Sequence, residues 1–159
     1  MHALIKLILS VFGSGFLPKI PGTWGSLATI PFLLLFAELP RLTVCIIFVT
    51  SLIIGLFVCY RYYQQKDATF DAGWIVIDEY LGLFLAWLPF YWIGQTDAVS
   101  LFTLFVTFRV FDIIKIYPAN WIDAQKSRWW AVIGDDLVSG IYAAGASYFL
   151  IPYLSKVLG

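Results

Sequence analysis

The chain keeps ionisable side chains where an apolar sequence should not. Asp78 and Glu79 stand near the start of one apolar run. Asp112 stands near the end of another, between Arg109 and Lys115. Asp135 and Asp136 stand side by side at the start of a last one. Ionised groups in apolar segments are expensive and are kept for a return. Carboxylates gathered from several helices repel each other unless a cation or protons intervene. Oxygen-only ligands, with no imidazole or thiolate nearby, favour a hard cation such as Mg²⁺. Lys19, Arg109, Lys115 and Arg128 supply positive charge that can hold an anion. Carboxylates, a hard cation and basic side chains together suit a phosphate group.

Other phosphate chemistries lack their residues. The single histidine is His2, which argues against a phosphohistidine. Neither Cys45 nor Cys59 is followed by a Gly-rich loop with an arginine. No Asp-x-Asp spacing occurs, so an aspartyl-phosphate enzyme of that motif type is not supported. A metal-activated water is the simplest remaining nucleophile, with one of the acids as its base.

These residues need a scaffold, and the composition states its class. The sequence is 61% hydrophobic, 19% aromatic and 13% charged, and its mean hydropathy is +0.86. That composition points to a small integral membrane protein, a single domain over residues 1–159. Formal net charge is zero, so no global field argues for nucleic acid. Cys45 and Cys59 lie about 21 Å apart along one helix at ~1.5 Å per residue, too far for a disulfide. The expected fold is all-α: a polytopic bundle of four to five membrane helices behind an N-terminal interfacial helix over residues 2–12.

The apolar runs are 26–39, 42–60, 74–93, 98–114 and 131–154. The second is uncharged and the clearest transmembrane segment. Whether 26–39 crosses or only dips is left open by its length. The glycines and prolines of residues 13–26 predict an irregular loop before it. Trp121, Trp129 and Trp130 read as interfacial anchors. Gly140, Ala143, Ala144, Gly145, Ala146 and Ser147 suit close helix packing. If every run spans, Lys6, Lys19, Arg61, Lys66, Lys115, Lys126 and Arg128 share one side, with Arg109 just inside. The other side holds Arg41 and Lys156. The positive-inside rule makes the rich side cytoplasmic. The same threading brings all five acids to one depth on that side, although the acids played no part in assigning it.

Four stretches resemble one family, phosphatidylglycerophosphatase A, the Mg²⁺-dependent bacterial lipid phosphatases. They are GSGFLPKIPGTWGSL (13–27), DAGWIVIDEYLG (71–82), RVFDIIKIYPANWID (109–123) and GDDLVSG (134–140), in family order. The resemblance implies hydrolysis of phosphatidylglycerophosphate to phosphatidylglycerol and phosphate at the cytoplasmic leaflet of a bacterial inner membrane. It carries Asp78, Glu79, Asp112, Asp135 and Asp136 over as the acidic motif residues and Lys115 as the motif lysine. The chain departs from the family at Ile116, along 128–134, where two tryptophans replace a Gly-rich stretch, and at Ser139.

The combined reading gives Glu79, Asp112, Asp135 and Asp136 as the metal-ligand pool, and Asp78 or Asp136 as the base. It puts Asp78, Asp112, Lys115 and Asp136 in the catalytic set, and Lys19, Thr23, Arg109 and Arg128 on the substrate. Plainer roles stand beside these. Asp135 and Asp136 also suit an acidic helix start, and Arg109 with Asp112 suits an i,i+3 ion pair. Lys115, Lys126 and Arg128 suit a surface facing anionic headgroups, and Thr23 or Ser26 suits a helix N-cap. Asp67, Asp71 and Asp123 read as solvated loop acids. Two competing functions remain: a small cation-binding transporter, which would spread its acids through the bilayer depth, and an inactive relative of the phosphatases.

Overall fold

Residues 77–92 are apolar on every side apart from two acids in the first turn. A helix of that kind has to be surrounded by others. The computed structural model describes residues 2–70, 72–125 and 127–158; Asp71 and Lys126, singled out above, lie outside them. The helices are α1 (His2–Leu9), α2 (Pro21–Ala37), α3 (Arg41–Tyr63), α4 (Ile77–Trp92), α5 (Ala98–Ile114), α6 (Ala119–Asp123) and α7 (Ala131–Leu158), with a 3₁₀ turn at Ser14–Phe16. The fold is all-α, with no strand among the described residues. α4 is the central helix: Leu81, Leu83, Phe84, Ala86, Trp87 and Phe90 are buried. It packs on α7, α2, α5 and α3.

One crossing point sets the register of three helices. A Cβ at Gly82 would lie 2.6 Å from the Asp136 carbonyl oxygen of α7 and 2.6 Å from the Phe108 ring of α5. A Cβ at Gly140 would collide with the Gly82 carbonyl. Only two glycines let α4 and α7 touch backbone to backbone; a methyl at either would force them apart, costing about 1–3 kcal/mol. Glu79 is one turn before Gly82, and Asp112 is one turn after Phe108. Asp136 is at the contact itself. The crossing therefore brings three acids from three helices to one level. Deeper in the bundle, Thr107 and Ser147 hydroxyls share a hydrogen bond of 2.8 Å that ties α5 to α7.

At the other end, Arg41 donates to the Trp92 carbonyl at 3.1 Å, and the Tyr91 hydroxyl donates to the Leu39 carbonyl. Asp97 caps α5, accepting from the Ser100 N–H at 3.0 Å and the Ser100 hydroxyl at 2.7 Å. Pro31 and Pro89 lie inside α2 and α4 and end neither helix.

Two expectations change. The segment 13–26 is not an irregular loop throughout, because α2 begins at Pro21 and takes in Gly22-Thr-Trp-Gly25-Ser26. Proline at the first helical position loses no bond and is pre-set for the helix. The glycine cost of about 1 kcal/mol each is accepted because side chains would not fit: a Cβ at Gly25 would come within 2.6 Å of the Val76 Cβ. Gly145, read above as a packing glycine, faces open space. Of the expected membrane helices, two are long and apolar enough to span, α3 and α7 over residues 131–157. α2 and α5 have 17 residues each and α4 has 16.

Candidate active site

The N-terminal ends of α2, α4 and α7 and the C-terminal end of α5 surround a cavity of about 380 Å³. Its wall contains Asp78, Glu79, Asp112, Asp123, Asp135 and Asp136, with Arg109 and Lys115 as the cations. Gly22 and Thr23 complete the rim from α2. Six carboxylates against two cations leave negative charge that another cation or protons must offset.

Glu79, Asp112 and Asp136 form the tightest group. Each offers an oxygen within 4.8 Å of the others, and all three residues are buried. Arg109 Nη1 pairs with Glu79 Oε2 and, at 3.0 Å, with Asp112 Oδ2. Ser26 donates to Glu79 Oε2 at 3.0 Å. A Cβ at Gly22 would collide with Glu79 Oε1, so α2 approaches this carboxylate because residue 22 has no side chain. Asp136 has no ion pair among the described residues. The donor set is oxygen only and gathered within one ion's reach. It fits a hard divalent cation, with Glu79, Asp112 and Asp136 as the residues that would hold it.

Asp135 faces the other way. Lys115 Nζ lies 2.5 Å from Asp135 Oδ2 and 2.6 Å from Asp123 Oδ1. Asp135 Oδ1 is buried with no hydrogen-bond partner among the described residues. Lys115 ends α5 in the left-handed region at φ 49°, an uncommon backbone for a residue with a side chain. Burial works against the Lys115 ammonium. The hydrogen bonds to Asp123 and Asp135 and the nearby Asp136 charge outweigh it, holding the pKa above the ordinary lysine value. Lys115 is a fixed cation at the cavity wall.

Asp78 stands in the first turn of α4 and accepts the Glu79 N–H at Oδ1, 3.0 Å; it makes no ion pair among the described residues. Thr23 and Gly22 lie in the first turn of α2, where backbone N–H groups have no intrahelical acceptor. Lys19 is exposed ahead of α2, and Arg128 is exposed with its guanidinium 5.9 Å from the Trp130 ring centre. Neither lines the cavity. The structure thus gathers Asp78, Glu79, Asp112, Asp135, Asp136, Arg109, Lys115 and Thr23, and leaves Lys19 and Arg128 outside. Asp123, read above as a solvated acid, is half-buried at the wall. Its place at the end of the motif stretch 109–123 was the available signal. Ser26 and Gly22 belong to the site through Glu79.

The family model described as phosphatidylglycerophosphatase A matches residues 7–151. A relative of that name from Escherichia coli (strain K12) is 35% identical over 140 residues, 87% of this chain and 78% of the relative. Another of that name from Haemophilus influenzae is 32% identical over 140 residues, 87% of this chain and 83% of the relative. A Bacteroides thetaiotaomicron protein, named provisionally as a phosphatidylinositol-3-phosphatase, is 29% identical over 160 residues, 96% of this chain and 94% of that protein. No solved structure matches significantly.

Proposed function

Because the chain belongs to the phosphatidylglycerophosphatase A family and is therefore a phosphoric monoester hydrolase, we propose that it removes the terminal phosphate of phosphatidylglycerophosphate in a Mg²⁺-dependent reaction at the cytoplasmic face of a bacterial inner membrane. The observation that carries the reading is the meeting of Glu79, Asp112 and Asp136 beside Arg109 and Lys115 in one cavity. A bound divalent ion supplies a lowered water pKa and charge neutralisation at the phosphoryl oxygens.

The protein's own groups do the rest. Glu79, Asp112 and Asp136 hold the ion, and Arg109 fixes the first two against their mutual repulsion. Lys115, clamped by Asp123 and Asp135, presents a cation to the phosphate. The free N–H groups of Gly22 and Thr23 at the α2 N-terminus add donors suited to an anion. Asp78, with Oδ1 tied to the Glu79 N–H, is positioned at the cavity wall to take a proton from water at its other oxygen. No redox group is needed, and atoms balance as ester plus water going to alcohol plus phosphate.

The membrane placement draws on more than the two long helices. α5 exposes Phe102, Val106, Val110 and Ile113 along one face, at the i, i+4, i+8, i+11 spacing of a lipid-facing stripe. α2 exposes Leu34 and Leu35. We therefore read α2 and α5 as further spans, each at the short end of the ~17–25 residue range, with α4 shielded from lipid by its neighbours. The acid-lined cavity then opens on the side rich in Lys and Arg, the cytoplasmic side. Acids gathered at one end, with none inside the run 42–60, speak against a transporter.

The test is phosphate release from phosphatidylglycerophosphate by the purified chain in detergent. Release should require Mg²⁺, stop on EDTA and return on adding Mg²⁺. Release that persists in EDTA would reject the metal role, and no release under any divalent ion would reject the reading.

A further inference from the structure

We propose that the seam between α2 and α5 is a groove for one acyl chain of the phospholipid whose headgroup sits in the cavity. The proposal rests on the function just given. The seam holds an apolar cavity of about 330 Å³, lined by Leu27, Ile30, Leu34, Leu101, Phe102 and Phe105. Both of its walls are also walls of the charged cavity, which takes Gly22 and Thr23 from α2 and Arg109 and Asp112 from α5. On each helix the apolar lining begins one turn beyond the charged lining. Leu27 follows Thr23 by four residues, and Phe105 precedes Arg109 by four. Polar and apolar pockets are thus stacked along the same antiparallel pair.

The seam runs about 16 Å along each helix, from Thr23 to Leu34 and from Asp112 to Leu101, at ~1.5 Å per residue. α2 and α5 touch only slightly; α4 holds α2, and α7 holds α5. The space between them is therefore open to the side. An occupant charged at one end and apolar along the rest matches this order, and a phospholipid is that molecule. It would enter sideways, headgroup level with Arg109 and one chain along Leu27, Ile30 and Phe102.

A rival groove exists between α1, α2, α3 and α4, about 360 Å³ and lined by Phe12, Phe32, Ile47 and Tyr80 among others. Neither α1 nor α3 contributes to the charged cavity. Two of its four walls, α2 and α4, also reach that cavity, but on α2 its lining starts at Phe32, nine residues past Thr23, whereas the seam's starts at Leu27, four past it.

Two measurements decide the matter. In the first, the full chain is placed in vesicles holding a trace of phosphatidylglycerol with a photoreactive diazirine midway along one acyl chain. Adducts should concentrate on residues 27–34 and 98–105, several-fold above the lipid-exposed face of α3. Even labelling of all apolar faces, or concentration in the α1–α3 groove, would overturn the proposal. In the second, Leu27→Trp and Leu34→Trp are assayed on diacyl phosphatidylglycerophosphate and on its deacylated, water-soluble counterpart. Both positions are exposed, so the core is not disturbed. KM for the diacyl substrate should rise about tenfold, the low end of the effect of reshaping an apolar pocket. KM for the deacylated substrate should stay unchanged, and Leu35→Trp should change neither. Equal effects on the two substrates would overturn the groove. Should the wild type hydrolyse neither substrate, the phosphatase reading falls, while the adduct map still decides the groove.

Discussion

Two groups of carboxylates share one cavity wall and differ in how their charge is met. Glu79, Asp112 and Asp136 come from three helices and have one arginine among them, which touches two. Asp123 and Asp135 grip one lysine between them. In the first group negative charge exceeds what Arg109 offsets, and the oxygens converge. In the second, the lysine is held at a short distance by both acids. The first group has the converging oxygen donors that suit a divalent cation. The second has the character of a positioned cation. Asp135 and Asp136 are consecutive residues that fall into opposite groups. On a helix, neighbours point about 100° apart, which turns Asp135 toward Lys115 and Asp136 toward Glu79 and Asp112.

The sharpest test of that division is to neutralise the two neighbours separately. Asp136→Asn should lower kcat by roughly 10²- to 10³-fold, the scale for losing one preorganised electrostatic group, with helicity and melting unchanged. Asp135→Asn should lower activity by about 10- to 100-fold, as expected of a group acting through another residue. Its loss should appear with little change in the Mg²⁺ concentration needed for half-maximal rate, whereas Asp112→Asn should raise that concentration. If Asp135→Asn shifts the Mg²⁺ requirement as strongly as Asp112→Asn, the two groups are one metal site and the comparison fails.

Asp123 gives a milder test. Asp123→Asn removes one of two grips on Lys115, whose side chain is 26% exposed, as is that of Asp123. Stability should change by under ~1 kcal/mol for a pair this open to water. KM should rise a few-fold while kcat holds, because Lys115 keeps Asp135 and loses only orientation. A fall in kcat with KM fixed would place Lys115 at the reacting atoms rather than at the bound phosphate.

How much of this was legible in the sequence follows from the same contrast. The meeting level was legible: acids at the ends of apolar runs marked where Glu79, Asp112 and Asp136 come together. The α5 limits, 98–114, were legible from the apolar run. Direction was not. Sequence alone cannot say that Asp135 turns from Asp136 toward Lys115, because that depends on the rotation of α7 fixed by Gly82 and Gly140. Nor does the right sign of charge give reach: Lys19 and Arg128 lie outside the cavity. The start of α2 at Pro21 was hidden because its glycines look like loop formers. Their reason is contact with Glu79 and Val76, which lie more than fifty residues away.

A third carboxylate calibrates the comparison, because its partners are wholly local. Asp97 lies at the opposite end of the bundle and binds the hydroxyl and N–H of Ser100. Those bonds, the hydroxyl's first, hold its carboxyl below the ordinary aspartate range. Asp97→Ala should cost about 1 kcal/mol, the usual loss for an N-cap, and leave kcat and KM unchanged. The pH dependence has a fixed sign. With the folded pKa below the unfolded value of about 3.9, the cap contributes fully above that value. Its contribution is lost as pH falls through the folded pKa. Melting curves of wild type and variant should therefore differ at neutral pH and converge in acid. Were Asp97→Ala to reduce phosphate release as Asp135→Asn does, loss of any buttressed carboxylate would suffice to damage activity. The distinction drawn between the two groups at the cavity would then have no support from kinetics.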